Sequence, residues 1–303
     1  MTTVTLIGAP TDVGASVLGA SMGPDALRIA GINRALRALG LEVLDAGNLH
    51  GPGNPQALPQ QGFRHLDEVV QWNQAVFDAT RAALAQGQLP LMMGGDHCLA
   101  IGSISAVAAH CRTAARRLKV LWFDAHADAN TPETSPSGNI HGMPVACLLG
   151  RGPRSLAQLA GATALAAGEI ALIGVRSVDP VEKRFVAEHG IEVYDMRTID
   201  ELGMRAVMQA ALAGVDEGTH LHVSFDMDAM DPSVAPGVGT DVRGGLTYRE
   251  TQLCMEMLAD CGCLASADLV ELNPALDVRN QTAELAVDLL ESLFGKSTLM
   301  RRR

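Results

Sequence analysis

The sequence predicts a single α/β domain of three layers, α/β/α, with a mainly parallel eight-stranded sheet in the middle. Apolar runs typical of strands alternate with stretches of helical periodicity along residues 1–303, and this alternation produces parallel sheets flanked by helices. Most of the runs are continuously apolar, as strands buried on both faces are. No linker, composition break or fixed-period repeat divides the chain, so we predict one domain.

Eight segments are candidate strands. The first, 3–8, lies almost at the N-terminus, where a signal peptide would carry a basic segment instead. A cytoplasmic protein is therefore expected. The other predicted strands, in chain order, are 41–46, 89–93, 119–123, 169–174, 191–195, 220–225 and 266–271.

Seven segments show helical periodicity. The first, 24–39, begins with Pro24 at a first-turn position and ends before Gly40, and both are typical of helix boundaries. The other predicted helices are 65–86, 103–117, 180–189, 199–213, 247–260 and 281–294. Outside these elements we predict a surface loop at 48–62 and a solvated basic tail at 296–303.

The composition argues against several classes of partner. The formal net charge of −11 disfavours nucleic acid, which needs a basic surface, and suits a bound metal or a cationic ligand. No run of about 18 uninterrupted apolar residues is present, so no membrane span is predicted. The six cysteines form no set of CxxC pairs, and we expect buried or idle thiols, not disulfides.

Polar residues directly follow three of the predicted strands. LMMGGDHC contains His97, KVLWFDAHADANTP turns polar at Asp124, and HVSFDMDAMDP repeats the pattern from Asp226. In open parallel sheets the functional crevice lies past the carboxyl ends of the strands. Residues i, i+2 and i+4 of an extended chain also share a face. The side chains expected to converge are His97, Asp124, His126, Asp128, Asp226 and Asp228.

Four carboxylates and two imidazoles at one point indicate a metal site. Without counter-charge, burial and mutual repulsion would raise the pKa values of the carboxyl groups, whereas two divalent cations balance four negative charges. Such a pair lowers the pKa of a shared water and yields hydroxide at neutral pH. Oxygen-rich ligation with some imidazole favours Mn²⁺ over Zn²⁺. Taken singly, each Asp has an alternative role as a helix cap or turn former.

At these residues the chain resembles the arginases of the ureohydrolase family. GGDHC, DAHADANTP, SGNIHGMP, SFDMDAMDP and ELNP stand in that family's order and approximate spacing, and the likeness covers nearly the whole chain. The resemblance implies a single α/β/α domain, two Mn²⁺ ions per subunit, hydrolysis of guanidinium compounds to urea and an amine, and a homotrimer or homohexamer. Cys98 departs from the family pattern, which usually has Ser at that position.

The resemblance also implies the ligands of each ion. One manganese would be held by His97, Asp124, Asp128 and Asp226. The other would be held by His126, Asp124, Asp226 and Asp228. Asp124 and Asp226 would therefore bridge the two ions.

The predicted catalytic residues are His141, Glu271 and the ligand Asp128. Glu271 of VELNP follows an apolar run and can supply the carboxylate that a substrate guanidinium needs; the alternative is a surface charge at a strand end. His141 of GNIHGMP can pass a proton to the leaving amine because imidazole titrates near neutrality; the alternative is a loop histidine bonded to backbone. Thr240 resembles the family threonine that contacts the guanidinium or steadies the tetrahedral intermediate.

The remaining predicted contacts concern the tail of the substrate. Asn130, Ser137 and Asn139 offer neutral donors for an α-carboxylate. Asp179 and Glu182, three residues apart at a helix start, offer acidic groups for an α-ammonium, and they also suit a capping box. The resemblance assigns these positions to the α-carboxylate and α-amino groups in arginases. We therefore predict L-arginine as substrate, with urea and L-ornithine as products.

Three other functions stay open as alternatives. An agmatinase, or another guanidino-acid ureohydrolase such as a guanidinobutyrase, would share the metals but not the full set of tail contacts. A two-metal phosphoesterase would need basic residues near the site, and the motif loops contain almost no Lys or Arg. A non-catalytic, metal-dependent binding or scaffold protein would have no need of both His141 and Glu271.

Overall fold

Eight strands form one sheet in the computed structural model, which describes residues 3–299. The strands are β1 (Thr3–Ala9), β2 (Glu42–Asn48), β3 (Leu89–Gly94), β4 (Arg117–Phe123), β5 (Ile170–Val175), β6 (Glu192–Asp195), β7 (Thr219–Asp226) and β8 (Leu264–Val270). Their order across the sheet is β2-β1-β3-β8-β7-β4-β5-β6, and every neighbouring pair is parallel. The predicted eight-stranded, mainly parallel sheet is confirmed.

Helices cover both faces of this sheet. Within the described residues the α-helices are α1 (Gly23–Ile29), α2 (Ile32–Ala38), α3 (Leu66–Ala85), α4 (Ala100–Ala114), α5 (Pro144–Leu148), α6 (Arg154–Ala157), α7 (Pro180–His189), α8 (Met196–Leu202), α9 (Met204–Ala211), α10 (Tyr248–Cys261) and α11 (Gln281–Leu293). In β4, Leu121 and Phe123 pack with α1, α9, α10 and α11. Val120 and Trp122 point to the opposite face and pack with α4, so the predicted α/β/α layering is confirmed.

Two predicted helices are each divided in two. Residues 24–39 form α1 and α2, which are separated where Gly31 adopts a φ of 91°. Residues 199–213 fall in α8 and α9, with Gly203 at a φ of 79° between them. Glycine tolerates this left-handed region, and a helix cannot continue through it. The short helices α5 and α6 were not predicted, because neither is long enough to show a helical period.

The order of the strands brings distant segments of the chain together at the C-terminal ends of the central strands. β3, β8, β7 and β4 are neighbours at the centre, and parallel strands all end at the same side. Glu271 directly follows β8, and Asp124 directly follows β4. The polar residues that directly follow these strands therefore meet at the C-terminal ends of the central strands.

The described residues after α11 lie outside the sheet. After α11, Lys296 reaches back to Asp288 at 2.8 Å and also pairs with Glu291. Residues 296–299 are exposed, and the rest of the predicted tail, 300–303, lies outside the described residues. Between residues 3 and 299, no helix has both the length and the apolar character needed to cross a bilayer.

Candidate active site

The three strand ends share one local structure. The carboxylate of Asp124 accepts a hydrogen bond from the backbone N–H of His126 at 2.7 Å, and that of Asp226 accepts from Asp228 at 2.7 Å. In the same way, Asp96 accepts from the N–H of Cys98 at 3.0 Å. An aspartate that binds the backbone two residues ahead folds the chain into a turn. The sequence prediction that extended chain aligns these side chains is therefore wrong, and turns bring them together instead.

Two groups of ligand atoms result from these turns. His97, Asp124 and Asp226 offer ligand atoms within 4.8 Å of one another, and so do Asp124, His126 and Asp228. Asp124 belongs to both groups. Asp128 lies beside the first group, with its Oδ2 at 3.4 Å from Nδ1 of His97. All six predicted metal ligands therefore lie close together at one place.

Two buried atoms in this cluster lack a hydrogen-bond partner among the described residues. They are Nδ1 of His97 and Oδ2 of Asp128. Nδ1 of His97 also lies 3.1 Å from Asp124 and 3.0 Å from Asp226. A buried polar atom without a partner is costly, and a cation bound between these ligands would satisfy both atoms. The donor set of carboxylates with two imidazoles suits Mn²⁺, so these residues fit the predicted metal pair.

Neighbouring side chains orient the ligands. Nε2 of His97 lies 3.0 Å from Oγ of Ser224, so Ser224 can accept the Nε2–H and leave Nδ1 free for a metal. The ring of Trp122 stacks on His97 at 3.9 Å, and its Nε1–H donates to Asp124 at 2.9 Å. The sequence analysis gave Ser224 no role. Its position two residues before Asp226, on the same face of β7, could have indicated that its side chain lies near the ligands.

The charges of the cluster depend strongly on one another. Burial, together with neighbouring carboxylates, raises the pKa values of Asp128 and Asp226 well above the usual range. Burial opposes the charged form of Asp124 as well, but the close imidazoles of His126 and His97 outweigh it and lower the pKa of Asp124. Burial likewise opposes protonated His126, yet Asp124 and Asp228 raise its pKa to about 12. The metal-free cluster therefore retains protons that bound cations would displace.

Asp128 and Glu271 both adopt left-handed backbone conformations. Their φ angles are 49° and 59°, respectively. Side chains other than glycine and asparagine rarely occupy this region, and such strain is concentrated at functional sites. At Asp128 the conformation sends the carboxylate back toward His97, which an extended chain would not do.

Glu271 joins the metal cluster to His141. Its Oε1 accepts the backbone N–H of His97 at 2.8 Å and lies 3.0 Å from Nδ1 of His141. Burial opposes the charge on each partner, but their mutual hydrogen bond outweighs it. The result is a lowered pKa for Glu271 and a raised pKa for His141. The predicted catalytic pair is therefore an ion pair at the site.

A cavity of about 120 Å³ opens onto the ligand cluster. Its lining residues are His97, His126, Asp128, Asn130, His141, Gly142, Glu182, Asp226, Asp228, Thr240 and Glu271. Thr240 donates its hydroxyl hydrogen to Oδ2 of Asp228 at 2.9 Å. Two larger cavities, of about 390 and 410 Å³, lie elsewhere and contain no comparable set of ligands.

Only some of the predicted tail contacts line this cavity. Asn130 and Glu182 do, and Asp179 supports Asn130 by accepting its side-chain N–H at 3.1 Å. Ser137 is exposed and accepts the N–H of Asn139 at 3.2 Å. The amide of Asn139 binds Arg64 and Ser16 instead of facing the cavity. A substrate contact by Ser137, Asn139 or Asp179 stays a prediction.

Glu182 combines the two roles considered for it. Asp179 caps α7 by accepting the N–H groups of Val181 and Glu182, and Glu182 accepts the N–H of Asp179 in return. The same Glu182 is buried, lines the cavity and accepts the N–H of Ala129 at 3.1 Å. The capping box therefore fixes this carboxylate at the cavity wall.

Cys98 is buried in a hydrophobic cluster with Val13 and Ile101. Its thiol belongs to neither ligand group, and burial raises its pKa well above the usual value. Its neighbour Asp96 accepts the N–H of Gly14, whose carbonyl in turn accepts the N–H of His141. Cys98 is therefore a buried thiol, as expected for the cysteines of this chain.

Comparison with known proteins agrees with this arrangement. The model of the arginase family matches residues 2–295. The chain belongs to the arginase family. An arginase from Bacillus caldovelox is 46% identical over 99% of this chain and 100% of its own length.

Two solved structures share the fold of the chain, at different levels of sequence identity. The native structure of the Bacillus caldovelox arginase superposes with a TM-score of 0.93 at 44% identity, covering 99% of this chain and 100% of the other. A hypothetical agmatinase from Burkholderia thailandensis superposes with a TM-score of 0.71 at 24% identity, covering 97% of this chain and 84% of its own. The agmatinase therefore shares the fold, at a greater distance than the arginase.

Proposed function

We propose that this family member hydrolyses L-arginine to L-ornithine and urea, using two Mn²⁺ ions per subunit. The observation that carries the proposal is the pair of ligand groups that share Asp124, beside the Glu271–His141 ion pair. When bound, Mn²⁺ is a Lewis acid that lowers the pKa of water and so supplies hydroxide at neutral pH. His97 and Asp128 would hold one ion, and His126 and Asp228 would hold the other.

The chain's own groups bind and protonate the substrate. Both hydrogen bonds to Glu271 use its Oε1, which leaves Oε2 to accept N–H groups of the guanidinium. His141 uses Nδ1 for Glu271, so its Nε2 is the nitrogen that can carry a proton to the leaving amine. General acid catalysis of this kind contributes about 10²–10⁴-fold to the rate. Thr240 holds Asp228 and lies where it can contact the guanidinium.

Recognition of the substrate tail separates arginine from its analogues. Asn130 is a neutral donor at the cavity wall and suits an α-carboxylate. Glu182, assisted by Asp179, suits an α-ammonium. A phosphoesterase is disfavoured, because none of the described residues that line the cavity is Lys or Arg. A non-catalytic role is disfavoured by the ion pair of His141 with Glu271.

A substrate panel tests the proposal. Metal is removed with a chelator, Mn²⁺ is restored, and urea release is measured from L-arginine, agmatine and 4-guanidinobutyrate side by side. We expect kcat/KM to be highest for L-arginine. A preference for agmatine or 4-guanidinobutyrate would contradict the tail assignment, and no urea from any of the three would contradict the enzyme itself.

One variant sharpens this test. Asn130→Ala should raise KM for L-arginine and leave KM for agmatine unchanged, because agmatine has no carboxylate for Asn130 to bind. Each substrate thus serves as the control for the other in the same protein. An equal rise in KM for both substrates would show that Asn130 does not bind the α-carboxylate.

We also propose a cytoplasmic homotrimer or homohexamer. All six cysteines are free thiols, as is usual in a reducing compartment. Glu250 caps α10 within its own chain by accepting the N–H of Thr247. Sedimentation equilibrium should give three or six times the 31.8 kDa of one chain, whereas a mass of one or two chains would contradict the proposal.

A further inference from the structure

One arginine beneath the ligand cluster binds an unusual number of backbone carbonyl groups. Arg176 lies just after β5, and its guanidinium is partly buried. Nη2 donates to the carbonyls of Asp228 at 2.7 Å, Val242 at 2.7 Å and Met230 at 3.2 Å. Nη1 donates to Gly174 at 3.2 Å and Ala229 at 3.1 Å, and Nε adds a second contact to Val242 at 3.2 Å. No carboxylate accepts from this guanidinium in any of these bonds.

The main chain at the same place binds a further segment. The backbone N–H groups of Arg176 and Ser177 donate to the carbonyl of Ala125 at 2.8 and 2.9 Å. Ala125 lies between the ligands Asp124 and His126. The region of Arg176 is therefore connected to the turn after β4, the turn after β7 and the loop around Val242.

These three segments carry the second ligand group and its support. Asp228 contributes both its carbonyl to Arg176 and its carboxylate to the cluster. Val242 follows two residues after Thr240, whose hydroxyl donates to Oδ2 of Asp228. The same Oδ2 lies 3.1 Å from Nδ1 of His126. Movement of the Val242 loop relative to the Asp228 turn would change the position of this oxygen.

Only a guanidinium can make this set of bonds. Its five N–H donors have a fixed planar arrangement, whereas a lysine ammonium has three donors on one atom and cannot span carbonyls on several segments. The surroundings also leave little room for adjustment. A Cβ added at Gly245 would lie 2.6 Å from Nη2 of Arg176, so the neighbouring loop fits closely around the guanidinium.

We propose that Arg176 is a positioning residue that fixes Asp228 and the Thr240 loop at the geometry needed to hold one of the two metal ions. Its effect passes through the backbone, since its side chain contacts carbonyl groups and no ligand atom. The inference rests on the proposed pair of Mn²⁺ ions. It predicts that loss of the guanidinium weakens one ion selectively, although no metal ligand is altered.

Calorimetric titration with Mn²⁺ tests the inference. It is carried out on the metal-free Arg176→Lys variant and on the metal-free unaltered chain. The matched control is Arg116→Lys, because Arg116 also donates to backbone carbonyls, those of Glu217 and Thr219, but at the N-terminal ends of β4 and β7. We expect R176K to bind one ion about 10- to 100-fold more weakly, the range found when groups that orient ligands are lost. The other ion should keep its affinity, and R116K should bind both ions as the unaltered chain does.

Urea unfolding of the metal-free proteins distinguishes positioning from general stability. We expect R176K and R116K to unfold at similar urea concentrations. Unchanged binding in R176K would overturn the positioning role, and so would equal weakening of both ions together with a lower unfolding midpoint. Arg176→Met provides a second variant, and failure of both R176K and R176M to fold would overturn the selective role as well.

The outcome for the unaltered chain separates this inference from the proposed function. Fewer than two Mn²⁺ ions per chain would overturn both. Two ions on the unaltered chain, with normal binding in R176K, would overturn the positioning role of Arg176 alone.

Discussion

At the scale of single residues, the account depends on where each strand-end aspartate directs its carboxylate. Asp124 and Asp226 each use one oxygen to fold the chain into a turn and still contribute to the ligand groups. Asp128 differs, because its Oδ2 is buried without a partner among the described residues and its backbone is left-handed. A residue with an unsatisfied atom and a strained backbone is the clearest place to test the ligand assignment.

Asp128→Asn should weaken the binding of one manganese ion and reduce turnover steeply. Asparagine tolerates the left-handed backbone, so the change removes a charged ligand with little effect on the turn. Loss of an orienting group costs about 10- to 100-fold in metal affinity, and loss of a ligand should cost at least as much. Metal analysis after dialysis checks the prediction.

The control for this variant is Asp216→Asn, the same chemical change in the turn before β7, where Asp216 pairs with Arg117. It should retain both ions and full activity. Normal manganese content and rate in Asp128→Asn would count against the ligand list.

His141→Asn should lower kcat by about 10²–10⁴-fold while manganese content stays unchanged. The reason is that the variant loses the imidazole that protonates the leaving amine but keeps every predicted ligand. Steady-state urea production and metal analysis on the same sample measure the two effects separately. A normal kcat would remove His141 from the mechanism, and a loss of manganese would show that its role is structural.

At the scale of elements, β7 carries a polar stripe through the interior of the sheet. His220 and His222 both contact Ser266 at 2.8 Å, and His222 also lies 3.1 Å from the carboxylate of Asp268. Ser224 and Asp226 continue the same face of the strand to the metal cluster. The stripe is buried throughout.

Acid should destabilise the fold through His220. Burial, with the neighbouring charges of His222, His110 and Arg116, lowers the pKa of His220 to about 3, against about 6.5 in the unfolded chain. The unfolded state binds the additional proton between these values. The contribution of neutral His220 is therefore complete above about pH 6.5 and is lost as the pH falls toward 3.

Comparison of the metal-free chain with His220→Gln measures this contribution. The free energy of unfolding in urea, followed between pH 7 and 4, should fall less steeply in the variant, by up to about 1.4 kcal/mol per pH unit. His50→Gln, at an exposed position, should retain the original slope. Equal slopes in all three proteins would show that His220 is not the acid-sensitive group.

The sequence predicted the elements better than their interruptions. Every strand was found, because a parallel sheet buried on both faces leaves long apolar runs. The breaks at Gly31 and Gly203 were missed, since a single glycine inside a helical pattern is often tolerated. Arg176 was missed for a different reason. Its contacts join segments far apart in the chain, and no local pattern records such contacts.

The substrate-tail residues show the same limit. Asn130 and Glu182 line the cavity as their motifs suggested. Asn139, from the same loop as Asn130, instead binds Arg64 at 2.9 Å. Residue type and spacing identify candidates for a site, but the direction of a side chain depends on partners such as Arg64 that pack from another part of the chain.

At the scale of the whole molecule, the order of the strands brings the ligands together. β3, β8, β7 and β4 are adjacent at the centre of the sheet, so ligands separated by more than a hundred residues in the chain meet at the C-terminal ends of these strands. The buried carboxylates repel one another there. Without cations, burial and this repulsion raise the pKa values of Asp128 and Asp226, so holding both groups charged costs free energy. Divalent cations bound at this place would relieve that cost and would link metal binding to stability.

A crystal grown in excess Mn²⁺ and measured at the manganese absorption edge tests this central claim most directly. The account predicts two anomalous peaks in each subunit, one in contact with His97 and the other with His126, and both in contact with Asp124. A single peak, or peaks away from these three side chains, would contradict it.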